Sequence, residues 1–475
     1  MESYPEPLDH SLTRETSLGQ RTEVFLLAVA IVLGIGLRLL FVFRFPVITP
    51  DGRLYLSIAE TWSRFGVYGV DPTTPSGLRM PGYPAFLAGF RLVFGSIRPT
   101  SVYLIQTVVD LATCVVVGLL GAALFGRRVG RIAFVLALLC PFTANYVSLL
   151  LTESLAIFLT AAALDFGVLA FRALDRKVPV GHLLACATAI GLGILIRPDG
   201  AILLPVLALG LLTRVREAGL KRVISSTAIL CAVPVLLLAS WTIRNAITLH
   251  RFQVLTPGVI VGKGERVAVG FNRWLATWIL DYVSDQDVLW KTISHEPIDP
   301  ASLPRRAFGS AGDPDRTLAL IADFNRTRTV DESLDRKFDE LAAERLRRHP
   351  LIDFVVIPLG RMADMWLRPR TEMLPLESRW WEFRNVQRSW IAIGYAAINL
   401  VFLVLAGYGA SLHFRRREVW ILLGFVFVRT ALIATVGNPF SPEERYTLEC
   451  YPVVLVLAAA GLLKFPNLLT ASRGA

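Results

Sequence analysis

Long apolar blocks constrain this chain more than any other feature of its sequence. A bilayer demands roughly 20 apolar residues per helix, because ~30 Å of hydrocarbon is crossed at about 1.5 Å per residue. Only 18% of the residues are charged and 54% are hydrophobic, which is too few charges to cover a water-facing surface. About ten blocks suit a membrane span; they are residues 24–45, 102–125, 132–150, 155–171, 183–196, 201–212, 223–243, 390–412, 420–436 and 451–463. The sequence therefore predicts an all-α integral membrane protein.

The basic residues lie mainly between these blocks and predict the orientation. A net charge of +11 alone would be compatible with nucleic acid binding. Clusters in short segments between spans are instead typical of cytoplasmic loops; they are Arg127, Arg128 and Arg131, then 172–177, 214–222 and 415–417. We therefore expect a multi-pass protein of the plasma membrane, with both termini cytoplasmic and no nucleic acid partner.

Alternation of the spans divides the chain into four parts. Residues 1–23 form a cytoplasmic leader, and 24–244 form a transmembrane module that includes a first outer loop, 46–101. Residues 245–351 are long enough for an extracytoplasmic loop subdomain, and its last helix is predicted to begin after Asp331. Residues 352–475 hold the remaining spans. Segment 352–367 is apolar but contains Arg361. Counting it as a span would place the last basic cluster, 415–417, outside the cytoplasm, against the rule that basic loops are cytoplasmic. We expect it to be a re-entrant or interfacial helix.

Cofactor motifs are missing from the sequence. The five cysteines lie in or beside apolar blocks and form no CxxC pair, and the six histidines form no metal-binding pattern. The glycine-rich segment from Gly258 to Gly270 lacks the Ser or Thr that follows Gly-Lys in a phosphate-binding loop. We therefore expect no cofactor and no metal site.

Charged residues at the membrane are the first candidates for chemistry. Asp51 directly follows the first span, so its carboxylate is expected at the membrane surface. There it can act as a general base toward an acceptor hydroxyl, or it can cap the helix that it precedes; the two roles are compatible. Arg38 and Asp110 lie inside apolar blocks and are expected to form a structural ion pair. Asp199 is expected either in the site or as a salt-bridge partner of Arg197.

Several motifs in this order resemble the GT-C glycosyltransferases, closest to protein O-mannosyltransferases (family 39) and the aminoarabinose transferases. The resemblance runs along most of the chain and is carried by short elements. These are Asp51 and Tyr55 after one span, 79–84 (RMPGYP), Thr152-Glu153, 191–198 (GLGILIRP), Trp241 to Asn245 (WTIRN) and Glu444-Arg445-Tyr446 before Pro452. The implied fold is a GT-C bundle of about ten transmembrane helices with an extracytoplasmic loop subdomain.

The resemblance implies an activity and its partners. Family members take a sugar from a polyprenyl-phosphate donor and transfer it by inverting displacement, without a nucleotide sugar, to a lipid, glycan or protein acceptor outside the cytoplasm. On this basis Asp51 is expected to be the catalytic base and Glu153 the second acid. A divalent ion held by Asp51 and Glu153, as acids hold one in oligosaccharyltransferases, is the less favoured alternative.

Cations at the outer ends of spans can stabilise the phosphate that leaves the donor. The residues expected to bind the donor phosphate or sugar are Arg53, Tyr55, Arg79, Tyr83, Arg197, Arg244, Arg445 and Tyr446. For any one arginine the alternative is a side chain that reaches the headgroups, and for a tyrosine it is interfacial anchoring. Arginine suits phosphate because its planar fork holds two oxygens.

Two other functions remain open at the level of sequence. The same charges would line the path of a lipid-linked sugar flippase or transporter. That class usually has repeated halves, which this sequence does not show. A GT-C-like binding subunit without activity is the third possibility, and the presence of both Asp51 and Glu153 argues against it.

Overall fold

The protein is described here from a computed structural model that covers residues 10–256, 267–309, 313–436 and 442–471. Part of the predicted leader, 1–9, and most of the glycine-rich segment, 258–266, lie outside these residues. The described chain is helical, apart from isolated bridges between Val47 and Leu149 and between Asp71 and Thr74. The prediction of an all-α membrane protein is therefore confirmed.

Twenty α-helices make up the described chain. In the first half they are α1 (His10–Arg44), α2 (Pro50–Phe65), α3 (Gly82–Phe94), α4 (Pro99–Phe125), α5 (Arg127–Leu138), α6 (Pro141–Asn145), α7 (Glu153–Ala173), α8 (Val180–Ile196), α9 (Leu203–Leu212), α10 (Val215–Ala218) and α11 (Leu220–Leu249). In the second half they are α12 (Val269–Ala276), α13 (Tyr282–Asp285), α14 (Lys291–Ile293), α15 (Asp313–Thr327), α16 (Glu332–Arg348), α17 (Ile357–Leu367), α18 (Val386–His413), α19 (Arg417–Val436) and α20 (Tyr451–Ala471). Short 3-10 turns include Tyr146–Ser148, Pro198–Ile202 and Glu444–Cys450.

Eight of the ten predicted spans coincide with helices that can cross a bilayer, and the other two coincide with shorter apolar helices. Seven of the described helices are long and apolar enough to cross a bilayer, and α5 with the following Pro141–Ser148 makes an eighth crossing bent by 41°. The bend falls at Pro141, which has no N–H to continue the helix. The predicted spans 183–196 and 201–212 coincide with the shorter apolar helices Val180–Ile196 and Pro198–Leu212.

The membrane helices pack around one apolar core. Helix α4 packs on α5 and α7, α8 packs on α7 and α11, and α18 packs on α20. The segment Glu444–Lys464, which contains most of α20, is the most enclosed candidate span, with 83% of its apolar window buried. The expected pair inside the membrane is present, since Arg38 Nε donates to Asp110 Oδ2 over 2.7 Å.

Residues 268–342 form a second core of their own. Trp274, Trp278, Phe271 and Phe338 are buried together in it. Helix α16 follows its predicted pattern, because the Asp331 carboxylate accepts from the N–H of Leu334 over 2.8 Å. The second core therefore lies within the segment 245–351, where the sequence predicts the loop subdomain.

The segment 352–367 is not among the candidate spans of the described chain. Its outward side is apolar, with Phe354 68% exposed and Leu359 57% exposed. Arg361 points inward, where it donates to the carbonyls of Ile279, Ala276 and Ala434 over 2.6, 2.6 and 2.9 Å. One arginine thus joins the second core to the end of α19, and the exposed face suits the membrane surface.

Candidate active site

Asp51 lies in the first turn of α2. The helix cap is Thr49, whose hydroxyl accepts from the N–H of Gly52 over 3.0 Å, and Pro50 occupies the first helical position. The capping role that the sequence allowed for Asp51 is therefore filled by Thr49. The Asp51 carboxylate is left free to make contacts across the site.

Two arginines from distant parts of the chain contact the Asp51 carboxylate. Arg79 Nη2 lies 2.7 Å from Oδ1, and Arg445 Nη1 lies 3.7 Å from Oδ2. Tyr68 holds the backbone of Arg79 in place, because its hydroxyl donates to the carbonyls of Arg79 and Met80 over 2.9 and 3.1 Å. The carboxylate thus has a cation at each oxygen.

Glu153 begins α7 and is almost fully buried. Its Oε1 accepts from Arg197 Nη1 over 3.0 Å. Its Oε2 has no hydrogen-bond partner among the described residues. A buried carboxylate oxygen without a partner is costly, so this atom is available to a hydroxyl of a bound molecule.

Tyr446 connects the two acids. The guanidinium carbon of Arg197 lies 5.3 Å from the centroid of its ring, and that of Arg445 lies 5.2 Å from the same centroid. Arg445 touches Asp51 and Arg197 touches Glu153, so both acids lie at the same end of the bundle. Opposite ends would have contradicted the sequence-based interpretation.

The charges around Asp51 set its ionisation. Burial favours the neutral acid, but the charges of Arg79 and Arg445 outweigh it and hold the pKa of the Asp51 carboxyl below its ordinary value. The Asp51 side chain is 22% exposed and that of Arg79 is 31% exposed, so solvent weakens the pairing. Burial raises the pKa of the Tyr55 phenol to about 12, which keeps it a neutral hydrogen-bond donor at physiological pH.

Two of the predicted site residues, Arg53 and Tyr83, do not contact Asp51. Arg53 is exposed and donates to the carbonyl of Ile48 over 3.3 Å. Tyr83 is buried below Tyr55, and its hydroxyl bonds Gln106 over 2.8 Å. These two side chains support the site region and do not face Asp51.

Arg244 holds the first loop to α11. It donates to the carbonyls of Ser76 and Tyr68 over 2.8 and 3.1 Å and lies over the rings of Tyr68 and Trp241. It also lines a cavity of about 440 Å³ whose wall includes Trp62 and Pro81. Because Pro81 is two residues from Arg79, this cavity adjoins the site.

The sequence analysis did not identify a group of charged side chains, on Arg429 and Glu449, that lies close to Glu153. Arg429 Nη2 contacts Asp199 Oδ2 over 2.8 Å and Glu449 Oε1 over 2.7 Å. Arg197 also contacts Asp199, over 3.3 Å, so the expected salt bridge between these two residues is present. Arg429 lies inside the predicted span 420–436, and the rule for intramembrane charges that singled out Arg38 applies equally to it.

The acids of the site are not arranged as metal ligands among the described residues. Within the part of the chain that the structure describes, no three His, Cys, Asp or Glu side chains are grouped to hold a metal ion. Asp51 and Glu153 are each paired with arginine. An arginine competes with a cation for the same oxygens.

Comparisons with known proteins agree with this architecture. Residues 75–241 match the family model described as dolichyl-phosphate-mannose-protein mannosyltransferase. That segment includes Arg79, Glu153 and Arg197 and excludes Asp51 and Arg445. No curated protein matches the chain by sequence.

Solved structures give the fold. The oligosaccharyltransferase AglB from Archaeoglobus fulgidus, in complex with an inhibitory peptide and a dolichol-phosphate, superposes with a TM-score of 0.54 at 13% identity, over 96% of this chain and 52% of that one. Its apo form gives 0.54 at 14% identity, over 95% and 51%. ArnT from Cupriavidus metallidurans in the apo state gives 0.39 at 17% identity, over 92% and 78%. The chain spans about half the length of AglB.

The arrangement of helices therefore defines a membrane protein of the GT-C fold. The resemblance to GT-C glycosyltransferases that the sequence motifs predicted is confirmed by the mannosyltransferase family model and by the AglB fold.

Proposed function

We propose that this protein is a membrane glycosyltransferase that moves one sugar from a polyprenyl-phosphate donor to an acceptor hydroxyl on the extracytoplasmic side. The observation that carries the proposal is the Asp51 carboxylate between two arginines, Arg79 and Arg445, at one end of an apolar bundle. A base beside two cations suits a reaction in which a hydroxyl loses a proton while a phosphate departs. AglB, which shares the fold, was solved with a dolichol-phosphate.

The displacement involves one bond formed and one broken at the anomeric carbon. The acceptor oxygen attacks that carbon as Asp51 takes its proton, and the bond from the carbon to the phosphate oxygen breaks on the opposite face. The bond electrons leave with polyprenyl phosphate, which gains a negative charge. Arg79 and Arg445 are proposed to stabilise that charge, and their stabilisation grows toward the transition state.

The donor phosphate also activates the base. In the resting site the two arginines keep Asp51 ionised but weaken its affinity for a proton. A bound phosphate draws the same guanidinium groups toward itself, while burial continues to favour the neutral acid. Asp51 therefore becomes a stronger base when the donor is present.

Glu153 is proposed to hold the acceptor. Arg197 fixes one of its oxygens, and the other has no hydrogen-bond partner among the described side chains and backbone. That oxygen can accept from an acceptor hydroxyl and orient it toward the anomeric carbon. Tyr55 and Tyr446 lie beside the arginines and supply uncharged donors or ring faces to the sugar.

The donor lipid is proposed to enter beside α11. The cavity lined by Trp62, Tyr68, Trp241 and Leu195 is mainly apolar and adjoins the loop that carries Arg79. Exposed apolar side chains of α11, such as Ile243 and Ile247, face the surroundings nearby. This arrangement lets the polyprenyl chain remain in lipid while its phosphate reaches protein.

A transfer assay tests the proposal. Purified protein receives a panel of polyprenyl-phosphate sugars with lipid, glycan and peptide acceptors, with and without a chelator, and released polyprenyl phosphate is measured. We expect release that falls by at least about 100-fold in Asp51→Asn, because the amide cannot take the proton. The matched control is Asp71→Asn in the same loop, where the exposed side chain bonds Thr73 and Thr74.

The outcomes separate the candidate functions. Undiminished release in Asp51→Asn would remove the proposed base. Donor binding without release in the wild type, together with movement of the intact donor across a vesicle, would replace the enzyme with a flippase. A loss of release on chelation would add a metal ion to the site.

A further inference from the structure

A second cluster of charges lies behind Glu153 and joins the two halves of the chain. We call Arg429 and Glu449 the relay pair; they follow the family-matched segment and lie on α19 and on the turn that leads into α20. Arg429 Nη2 lies 2.7 Å from Glu449 Oε1. Glu449 Oε1 in turn lies 3.4 Å from Arg197 Nε, so the relay pair reaches the residue that holds Glu153.

Arg197 is fully engaged by carboxylates. Its guanidinium contacts Glu153, Asp199 and Glu449 over 3.0, 3.3 and 3.4 Å. A planar guanidinium with partners on several edges has a fixed orientation. The Nη1 atom is thereby aimed at Glu153 Oε1, and Glu153 Oε2 is buried without a hydrogen-bond partner among the described residues.

Glu449 also contacts α7 directly. Its Oε2 accepts from the hydroxyl of Thr160 over 3.1 Å. Thr160 follows Glu153 by two helical turns on the same helix, so the two side chains share one face. Glu449 thus fixes both the body of α7 and, through Arg197, the carboxylate at its first residue.

Stability alone does not account for these charges. The side chains of Arg429 and Glu449 are 1% and 4% exposed. Burying an ion pair costs several kcal/mol per ion, and well-packed apolar residues often stabilise a protein as much or more. Ionisable residues inside membrane proteins commonly serve a function.

We propose that Arg429 and Glu449 are positioning residues for sugar transfer. They orient Arg197 so that Glu153 presents its unbonded oxygen to the acceptor. This inference rests on the proposed function and assigns to the last two membrane helices a role in acceptor binding at a site built mainly by the first half of the chain.

A double-mutant cycle on Glu449 and Glu153 tests the inference. Glu449→Gln keeps the shape but removes the charge that holds Arg197. We expect the kcat/KM for the acceptor to fall about 10- to 100-fold, as when a group that orients a reacting side chain is removed, while the KM for the donor changes little. The double variant with Glu153→Gln is expected to be no slower than Glu153→Gln alone. Losses that multiply in the double variant would overturn the proposal.

Matched variants separate positioning from folding. Arg172→Gln breaks the 2.9 Å pair with Glu418, which links the same helices, α7 and α19, away from Glu153. It is expected to leave the acceptor KM unchanged. Arg429→Lys is expected to retain more acceptor affinity than Arg429→Gln, because it keeps the charge. Equal acceptor KM values in Glu449→Gln and Arg172→Gln would also overturn the proposal.

A separate measurement keeps the inference independent of the enzyme assay. Absence of transfer from every donor in the wild type would overturn the proposed function. The contacts of the relay pair are then tested by thermal unfolding in detergent of Glu449→Gln, Arg197→Gln and the double variant. Shifts of the unfolding midpoint that simply add would show that Glu449 does not act through Arg197.

Discussion

At the scale of single residues, Asp51 and Glu153 are held in opposite ways. Asp51 has an arginine at each oxygen and remains partly exposed, whereas Glu153 is buried with one oxygen bonded and the other unbonded. The first arrangement suits a group that exchanges a proton with a substrate. The second suits a group that accepts a hydrogen bond from a substrate.

The pH dependence of transfer follows from the charges on Asp51. Because its pKa is lowered, Asp51 stays ionised at pH values below the usual carboxyl pKa of about 4. The kcat/KM of the wild type is therefore expected to fall only when the pH is below that value. In Arg79→Gln the pKa rises, and the acid limb of the kcat/KM profile is expected to move to higher pH. The profile measured at constant ionic strength checks this shift.

The same substitution has a defined effect on stability. Because the pKa of Asp51 is lower in the folded than in the unfolded protein, its ionised carboxylate stabilises the fold at pH values above the unfolded pKa of about 3.9. That contribution is lost as the pH falls through the folded pKa. Arg79→Gln is therefore expected to destabilise at neutral pH and less in acid. Arg53→Gln is the control, since Arg53 is exposed and, among the described residues, bonds only the carbonyl of Ile48; an equal shift in that variant would contradict the assignment.

Sequence motifs named charged residues at the outer ends of spans but not their contacts. Asp51, Arg79, Arg445 and Tyr446 lie together in the structure. Arg244 and Arg53 carry the same charge and lie in similar motifs, but they bond backbone carbonyls. Whether an arginine faces an acid or a carbonyl depends on how the helices pack, which a single sequence does not contain.

At the scale of elements, the loop between α2 and α3 determines where Arg79 lies. Helix α2 ends at Phe65 and is capped by Gly66, whose φ of 72° favours a residue without a side chain. Helix α3 begins at Gly82, where an added Cβ would lie 2.7 Å from the carbonyl oxygen of Leu195. Gly82 follows Arg79 by three residues and Leu195 precedes Arg197 by two, so this close approach brings two arginines of the site together.

Gly82→Ala is expected to disrupt the close approach of Gly82 to the carbonyl oxygen of Leu195. The backbone oxygen of Leu195 cannot turn aside like a flexible side chain, so α3 must shift, and transfer is expected to fall about tenfold or more. Gly89→Ala in the same helix is the matched control, because nothing lies within 4 Å of its added Cβ. Transfer rates and unfolding midpoints of the two variants check the prediction, and equal rates would contradict it.

Helix positions were predicted from apolar blocks with good success, because bilayer thickness fixes their length. The beginning of α7 at Glu153 and the cap of α16 at Asp331 follow from local signals. The role of Thr49 as the cap of α2 was missed, since Asp51 offers an equally suitable side chain. The short blocks 183–196 and 201–212 also match short helices, Val180–Ile196 and Pro198–Leu212, because Pro198 interrupts an otherwise continuous apolar stretch.

At the scale of the whole molecule, Arg361 joins the second core to the membrane bundle. Its three carbonyl partners come from Ala276, Ile279 and Ala434. Arg361→Gln cannot reach all three, and unpaired buried carbonyls cost about 1–3 kcal/mol each. We expect residues 268–342 to become more accessible to limited proteolysis while the bundle stays folded.

The control for this prediction is Arg347→Gln on α16, an exposed side chain that bonds a carbonyl of its own helix. Cleavage that increases equally in both variants would show that Arg361 is not the junction. Cleavage restricted to Arg361→Gln would show that the two cores are separate units joined at this point.

Helix α20 follows in sequence every helix that surrounds it, yet its span is the most enclosed of the described bundle. During synthesis, α4, α5 and α7 therefore enter the bilayer before their central partner exists. Until α20 and the turn before it arrive, Arg197 lacks Glu449 and Asp51 lacks Arg445, and the Arg429 guanidinium lacks one of its acids. The bundle is thus completed when α20, the last helix to be made, enters its centre. A protein that inserts or protects membrane helices can act on the earlier helices in the time before α20 is synthesised.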